Sequence, residues 1–136
     1  MCRLFPRKLL KPGQTLVHTK YFTSRISQPP DKVKRQSTYI EAIQTLSDVS
    51  IFFGHYLMSP RTCRNCGFMY EVAQEKMTDV NIAVEILQDA FQNAFDTAIL
   101  ISADSDLIAP VAAVRKLFPA KRVIVACPPP GVSPSI

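Results

Sequence analysis

The chain has 136 residues, of which 47% are hydrophobic and 20% are charged. This length supports one hydrophobic core and leaves no room for a second domain of ordinary size. No segment approaches the roughly 20 apolar residues of a membrane span, and residues 1–10 lack the apolar region and cleavage site of a signal peptide. We therefore expect a single domain over residues 1–131, a loose tail at 132–136, and a cytoplasmic protein with no membrane partner.

Charge is divided unevenly along the chain. Residues 1–70 carry 11 Lys/Arg against 3 Asp/Glu, a net +8, whereas residues 71–136 carry 5 against 8, a net −3. A basic half beside an acidic half is typical of a metal-dependent enzyme that acts on a polyanion. The densest basic cluster is Lys32, Lys34 and Arg35, which follows Pro29 and Pro30. We expect a flexible Pro-rich loop whose cations contact nucleic-acid phosphates.

Hydrophobic periodicity and turn residues predict alternating strands and helices. In chain order these are a strand at 15–22, a helix at 37–46, a strand at 49–56, a helix from residue 78, a strand at 98–101, a helix at 110–117 and a strand at 122–126. Four strands with intervening helices predict an α/β domain with three layers and a mostly parallel central sheet. The Pro-rich residues 128–131 should end it.

Cys63 and Cys66 are separated by two residues and followed by Gly67. Two thiolates at this spacing are half of a zinc knuckle, because a tight turn lets both reach one ion. A structural zinc site needs four ligands, and the sequence has no second pair of this kind. Two interpretations stay open: a zinc site, or two free thiols in a mobile loop, which we favour.

The helix from residue 78 has apolar residues at the spacing of an amphipathic helix that packs one face on a sheet: Val80, Ala83, Val84, Leu87, Ala90 and Phe91. Thr78 is a suitable N-cap, and Asp79 falls in the first turn. An acid there often only complements the helix dipole, which is worth about 0.3–1 kcal/mol.

The segment TAILISADSD at residues 97–106 is an apolar run that ends in Asp104 and Asp106. An apolar run of this length predicts a parallel strand buried on both faces. Ligands bind at the carboxyl edge of such sheets, so two carboxylates there favour a divalent cation. The alternative is a solvated loop with an Asx turn.

The order of helix and strand should bring a third acid to the same edge. A crossover helix in a parallel sheet begins where the strands end. Asp79, at the start of its helix, is therefore expected to converge with Asp104 and Asp106. The three carboxylates together predict a metal site more strongly than any one of them.

These motifs resemble those of the NYN domain, a PIN-like nuclease family. The matching segments are EKMTDV at 75–80, FDTAILISADSD at 95–106, the helix at 111–118 and AKRVIVA at 120–126. The likeness is strong from residue 75 to 130 and weaker from 14 to 56. It implies a three-layer PIN-like α/β fold with a mostly parallel sheet.

The resemblance also implies a metal-dependent ribonuclease that hydrolyses phosphodiester bonds. Asp79, Asp104 and Asp106 would hold Mg²⁺ or Mn²⁺ directly or through water. As supporting groups, Ser102 and Ser105 would orient the carboxylates or contact phosphate, and Lys76 would neutralise charge or meet the substrate. RNA is the implied partner, with Lys32, Lys34 and Arg35 as its phosphate contacts.

Two departures from the family pattern affect these expectations. Ala103 replaces the usual glycine, a mild change unless that backbone is left-handed. The family also opens with a strand that ends in another aspartate, whereas residues 1–12 are basic and contain no acid. We therefore expect an amino-terminally truncated domain that binds metal weakly and is inactive or far less active than an amino-terminally extended form. The strand at 98–101 would be left with an unpaired edge, so we expect a homodimer or an aggregation-prone protein.

Two other functions fit parts of the pattern. A non-catalytic RNA-binding or assembly module would keep the fold and lose the site. A phosphatase of the haloacid dehalogenase type also has an apolar strand leading into Asp-x-Asp. It needs a second acidic pair downstream, and no acid follows Asp106. We rank it last.

Overall fold

The computed structural model describes residues 9–127, so the basic start at residues 1–8 and the expected loose tail lie outside the described part. The chain divides into two compact units, Met1–Thr78 and Asp79–Ile136. Each unit has its own sheet. The prediction of an α/β fold is confirmed, with a mixed sheet in the first unit and a parallel sheet in the second.

The first unit has three strands in the order β1, β2, β3. These are β1 (Thr19–Ser24), β2 (Val49–Thr62) and β3 (Met69–Lys76). β1 runs parallel to β2, with Thr19 opposite Val49 and Ser24 opposite Gly54. β2 and β3 form an antiparallel hairpin in which His55 lies opposite Lys76.

The first strand begins four residues later than the expected start at residue 15. Thr19 is the first residue that finds a partner on β2, and its N–H donates to the carbonyl of Asp48. Before it, the side chain of Val17 is 71% exposed. Within the sheet, the rings of Phe22 and Phe52 stack with centroids 5.0 Å apart.

Helix α1 (Pro30–Gln44) corrects the expected loop around the basic cluster. Pro30 opens the helix because a proline in the first turn loses no hydrogen bond, and its fixed φ suits a helix. The helix holds to the sheet through buried Ile40 and Ile43 and through Gln36. The Gln36 amide donates to the Ser24 carbonyl at 2.8 Å and accepts the Ile26 N–H at 3.0 Å.

The β2–β3 hairpin is longer than the sequence indicates. β2 continues to Thr62, past the expected end at residue 56, and β3 was not predicted. Pro60 in β2 weakens a strand prediction, although here it lies opposite Glu71 in the ladder. The loop expected to be mobile around Cys63 and Cys66 is the hydrogen-bonded tip of this hairpin.

The second unit alternates helices with two parallel strands. Its elements are α2 (Thr78–Phe91, whose first residue closes the first unit), β4 (Thr97–Ile101), a 3-10 helix (Ser105–Leu107), α3 (Ile108–Leu117) and β5 (Arg122–Ala126). Thr97 lies opposite Arg122. The predicted bounds of β5 are confirmed, as are the helix from residue 78 and the strand that ends just before Ser102.

The core of the second unit is formed by Ala90, Val111, Val114 and Val123. Of the predicted apolar face of α2, Leu87 and Ala90 pack there, but the side chain of Phe91 is 80% exposed, and Val80 and Val84 are also exposed. β4 is half-buried rather than buried on both faces. In residues 9–127 it pairs with β5 alone.

Candidate functional site

Asp104 and Asp106 follow the carboxyl end of β4, and both side chains are exposed. The Asp106 N–H donates to Oδ1 of Asp104 at 2.9 Å, so Asp104 caps the 3-10 helix. The Asp104 N–H in turn donates to Oγ of Ser102 at 3.1 Å. These bonds fix the backbone between the two carboxylates, which are the side chains expected to bind metal.

This geometry combines the two interpretations of the Asp-Ser-Asp sequence. The Asx turn is present, because Asp104 accepts the N–H two residues on. The turn also leaves Asp106 and the second oxygen of Asp104 on an exposed loop. Leu107, which is 3% exposed, anchors the loop in the protein interior. An acid that caps a helix can therefore still belong to an acidic site.

Basic side chains share an open cleft with Asp104. The cleft has a volume of about 520 Å³, and its polar lining includes Ser102, Asp104, Arg115 and Lys116. The Arg115 guanidinium donates to the Val123 carbonyl at 2.9 Å, which ties α3 to β5. The sequence prediction missed both cations. They lie in the last turn of α3. Their spacing from Asp104 in the sequence does not indicate that they lie near it in the fold.

The structure does not assemble the expected cluster of three aspartates. Asp79 is half-buried in the first turn of α2 and has an interaction of its own. Within residues 9–127, no three His, Cys, Asp or Glu side chains form a group that could hold a metal ion. A crossover helix begins at the edge of the sheet where the parallel strands end, but this does not set the distance along that edge between the helix start and a given strand.

A polar cluster at the other end of the hairpin was missed by the sequence analysis. Ser24 Oγ donates to Oε1 of Glu75 at 2.8 Å, and Thr78 Oγ1 donates to the same oxygen at 2.5 Å. Gly54 lies against both hydroxyls. Thr78 is the first residue of α2, so the Glu75 carboxylate fixes the residue that precedes Asp79. No sequence spacing brings Ser24 to Glu75, because 51 residues separate them.

The predicted supporting residues occupy different elements. Ser102, half-buried, supports the Asp104 turn as expected for an orienting residue. Ser105 begins the 3-10 helix, and its carbonyl accepts the Ile108 N–H. Lys76 ends β3 with an exposed side chain, in the first unit.

The three expected RNA contacts are exposed on α1. At 3.6 residues per turn, Lys32 and Arg35 lie about 60° apart around the helix axis, and Lys34 lies about 160° from Lys32. The Arg35 Nε donates to the Asp31 carbonyl at 3.4 Å. Therefore only two of the three cations can contact the phosphates of one RNA strand along the same face of α1.

The hairpin tip brings Cys63 and Cys66 together, and both are free thiols. The N–H groups of Asn65 and Cys66 and the Cys66 thiol hydrogen-bond to the Cys63 sulfur, which lowers the pKa of Cys63. These bonds favour the thiolate, the form that binds metals.

A family model described as the NYN domain matches residues 7–136. The chain belongs to the NYN domain family. NYN domains are generally nuclease-like and PIN-like, so the resemblance drawn from the motifs is confirmed at the level of the family. No solved structure matches the chain. The described residues of this NYN domain include no helix long and apolar enough to cross a membrane.

One curated protein similar to this NYN domain is the 6-hydroxy-3-succinoylpyridine 3-monooxygenase HspA of Pseudomonas putida (strain DSM 28022 / S16). The two sequences are 27% identical over an alignment that covers 82% of this chain and 42% of HspA. This chain therefore spans less than half the length of that relative. The likeness is too distant to transfer the activity in its name.

NYN nuclease domains usually use divalent metals. Carboxylates are the hard oxygen ligands that Mg²⁺ and Mn²⁺ prefer, and Mg²⁺ is commonly held by one or two of them together with water and substrate phosphates. Asp104 and Asp106 fit this requirement because they are exposed and joined by a hydrogen-bonded turn. The donor chemistry of the pair therefore suits the family's metal.

Proposed function

We propose that this NYN domain is a divalent-metal-dependent ribonuclease that hydrolyses phosphodiester bonds at the end of β4. The observation that carries the proposal is the exposed pair Asp104 and Asp106, held on a fixed turn in a chain of a nuclease-like family. Asp79 as a third ligand stays a prediction of the family resemblance, because residues 9–127 do not place it in one metal-binding group with Asp104 and Asp106. RNA is the substrate that the family suggests.

Asp104 and Asp106 would hold Mg²⁺ or Mn²⁺ through their exposed oxygens. The bound ion would act as a Lewis acid on the phosphate and lower the pKa of a water molecule. The protein contributes the fixed position of the carboxylates. Ser102 maintains that position, because its hydroxyl accepts the Asp104 N–H.

Lys116 and Arg115 would bind the substrate's phosphates in the same cleft. Their charges offset the repulsion between the acidic turn and a polyanion, which would otherwise keep RNA away. Arg115 is already held by the Val123 carbonyl, so its guanidinium is partly preorganised. In this arrangement the phosphate oxygens of the substrate would lie between the carboxylates and the cations.

The direct test is cleavage of a labelled single-stranded RNA by the purified chain. We expect cleavage in Mg²⁺ or Mn²⁺ and none in excess chelator, with activity restored when the metal is returned. The matching DNA strand is the control for substrate class. RNA that binds without being cut in either metal would reject catalysis and favour the non-catalytic RNA-binding or assembly module.

The two cations on one side of α1 should contribute more to RNA affinity than the third. Replacing Lys32 and Arg35 with Ala is expected to weaken RNA binding. It should also reduce the slope of log K against log salt concentration by up to about 1.4, at roughly 0.7 per phosphate contact on single strands. Lys34→Ala is the matched control, expected to have a smaller effect. Fluorescence anisotropy at several salt concentrations measures both.

An equal effect of Lys34→Ala alone would show that RNA does not follow the Lys32–Arg35 side of the helix. No effect of any of the three substitutions would remove α1 from the RNA contact.

Two further points stay predictions: a single three-layer PIN-like domain over residues 1–131 and a location in the cytoplasm. Oxygenation of a pyridine is the activity named for HspA, and nothing in the acidic turn favours it here. The ribonuclease proposal rests on the turn and the family alone.

A further inference from the structure

The β2–β3 hairpin carries a pair of thiols that the proposed nuclease site does not use. Its backbone turn is closed by two hydrogen bonds, from the Cys63 N–H to the Phe68 carbonyl at 2.8 Å and from the Gly67 N–H to the Cys63 carbonyl at 2.9 Å. Gly67 has a φ of +72°, a conformation that glycine adopts without strain. The turn is therefore built to bring Cys63 and Cys66 to one point.

Cys63 and Cys66 both belong to this turn and are free thiols, and the side chain of Cys66 is exposed. Two thiolates held together by a short turn are the usual half of a tetrahedral zinc site.

The other half of the ligand set is absent from the hairpin. Zinc in a structural site takes four ligands, and the described part of the chain contains no group of three or more His, Cys, Asp or Glu that could hold a metal. A second copy related by two-fold symmetry would supply an identical pair. We propose that Zn²⁺ joins two copies of this chain, bound by Cys63 and Cys66 of each at the hairpin tips.

The surface around the tip suits a second copy of the chain. The side chains of Phe68 and Met69, which follow the thiol pair, are 68% and 67% exposed. Apolar residues at a tip that also carries metal ligands would be covered when two tips meet. Arg61 and Arg64 are exposed on either side of Cys63. Their charges, doubled in a dimer, would offset the net −2 of Zn²⁺ with four thiolates.

The test measures zinc content and mass together on the full chain. After purification with Zn²⁺, we expect one zinc per two chains by elemental analysis and a dimer by multi-angle light scattering. Removal of zinc by a chelator should give monomers, and its return should restore the dimer. The variant Cys63→Ser/Cys66→Ser should be a zinc-free monomer, and Cys2→Ser/Cys127→Ser, which replaces the other two cysteines, should keep both zinc and dimer.

Any of three results would overturn the proposal. They are a monomer with one zinc per chain, a dimer that persists without zinc, and loss of zinc in the Cys2→Ser/Cys127→Ser control. Circular dichroism of the Cys63→Ser/Cys66→Ser variant checks that it folds. Chelation of the unmodified chain gives the same answer without any substitution. Replacing zinc with Co²⁺ shows how many thiolates bind the metal, because four thiolates give strong sulfur-to-cobalt charge-transfer absorption.

Discussion

Replacing Asp104 with Asn is expected to lower RNA cleavage at least about 100-fold while leaving the fold intact. Loss of groups that merely orient metal ligands costs 10–100-fold, so loss of a ligand's charge should cost no less. Asn is as good a helix cap as Asp, and its Oδ1 can still accept the Asp106 N–H. The substitution therefore removes the charge and keeps the turn. Initial cleavage rates at saturating Mn²⁺ measure the effect.

Asp96→Asn is the matched control for this substitution. Asp96 is an exposed aspartate at the opposite end of β4, where its backbone carbonyl accepts the Arg122 N–H, a bond that the substitution preserves. We expect its cleavage rate to stay within about twofold of the parent, a change of under about 0.4 kcal/mol in barrier. Unchanged cleavage by Asp104→Asn would mean that Asp104 serves the turn alone.

Gly54→Ala is expected to destabilise the protein by about 1–3 kcal/mol, the usual cost of forcing an extra carbon into a packed site. An added Cβ would lie 2.6 Å from the Lys76 carbonyl oxygen and 2.6 Å from Ser24 Oγ. It would also lie 2.7 Å from Thr78 Oγ1. Urea unfolding of the parent and the variant gives the difference in the free energy of unfolding.

The double variant Gly54→Ala/Ser24→Ala separates the two kinds of clash. It removes the Ser24 hydroxyl but keeps the Thr78 hydroxyl and the Lys76 carbonyl, a backbone atom on the neighbouring strand that cannot rotate away. We expect the double variant to remain less stable than Ser24→Ala alone. Equal stability of those two proteins would show that neither the Lys76 carbonyl nor the Thr78 hydroxyl imposes a cost, and that Gly54 is required only for the contact with Ser24.

Local patterns predicted the second unit well. The mostly apolar segment at 122–126 was predicted as a strand, and β5 has the same bounds. Thr78 and Asp79 predicted where α2 begins, although Thr78 is the first residue of the helix and its hydroxyl donates to Glu75 Oε1. The Asx turn at Asp104 was likewise foreseeable from three residues, since its hydrogen bond spans only two positions.

The first unit was harder to predict because its structure depends on distant partners. β3 has no clean alternation of apolar and polar residues, and it is a strand because β2 pairs with it. The basic cluster looked like a loop because two prolines precede it, yet Pro30 occupies the one part of a helix where proline is favoured. Here the error came from using proline as a breaker without regard to its position.

Only part of the candidate site's geometry could be predicted from the sequence. Sequence chemistry identified Asp104 and Asp106, and the structure holds them on one turn. The sequence does not identify Arg115 and Lys116 as neighbours of Asp104, because that closeness depends on how α3 packs on β4 and β5. The same limit applies to Asp79, whose position along the sheet edge is set by tertiary packing.

The most direct test of the account is Mn²⁺ binding to the acidic turn, measured by titration calorimetry in the absence of RNA. The unmodified chain is expected to bind Mn²⁺, and Asp104→Asn/Asp106→Asn is expected to lose that binding while Asp96→Asn keeps it. Zinc-loaded protein should be used throughout, so that the thiol pair does not take up the added metal. Mn²⁺ binding of the same affinity in Asp104→Asn/Asp106→Asn would contradict a metal site at the end of β4.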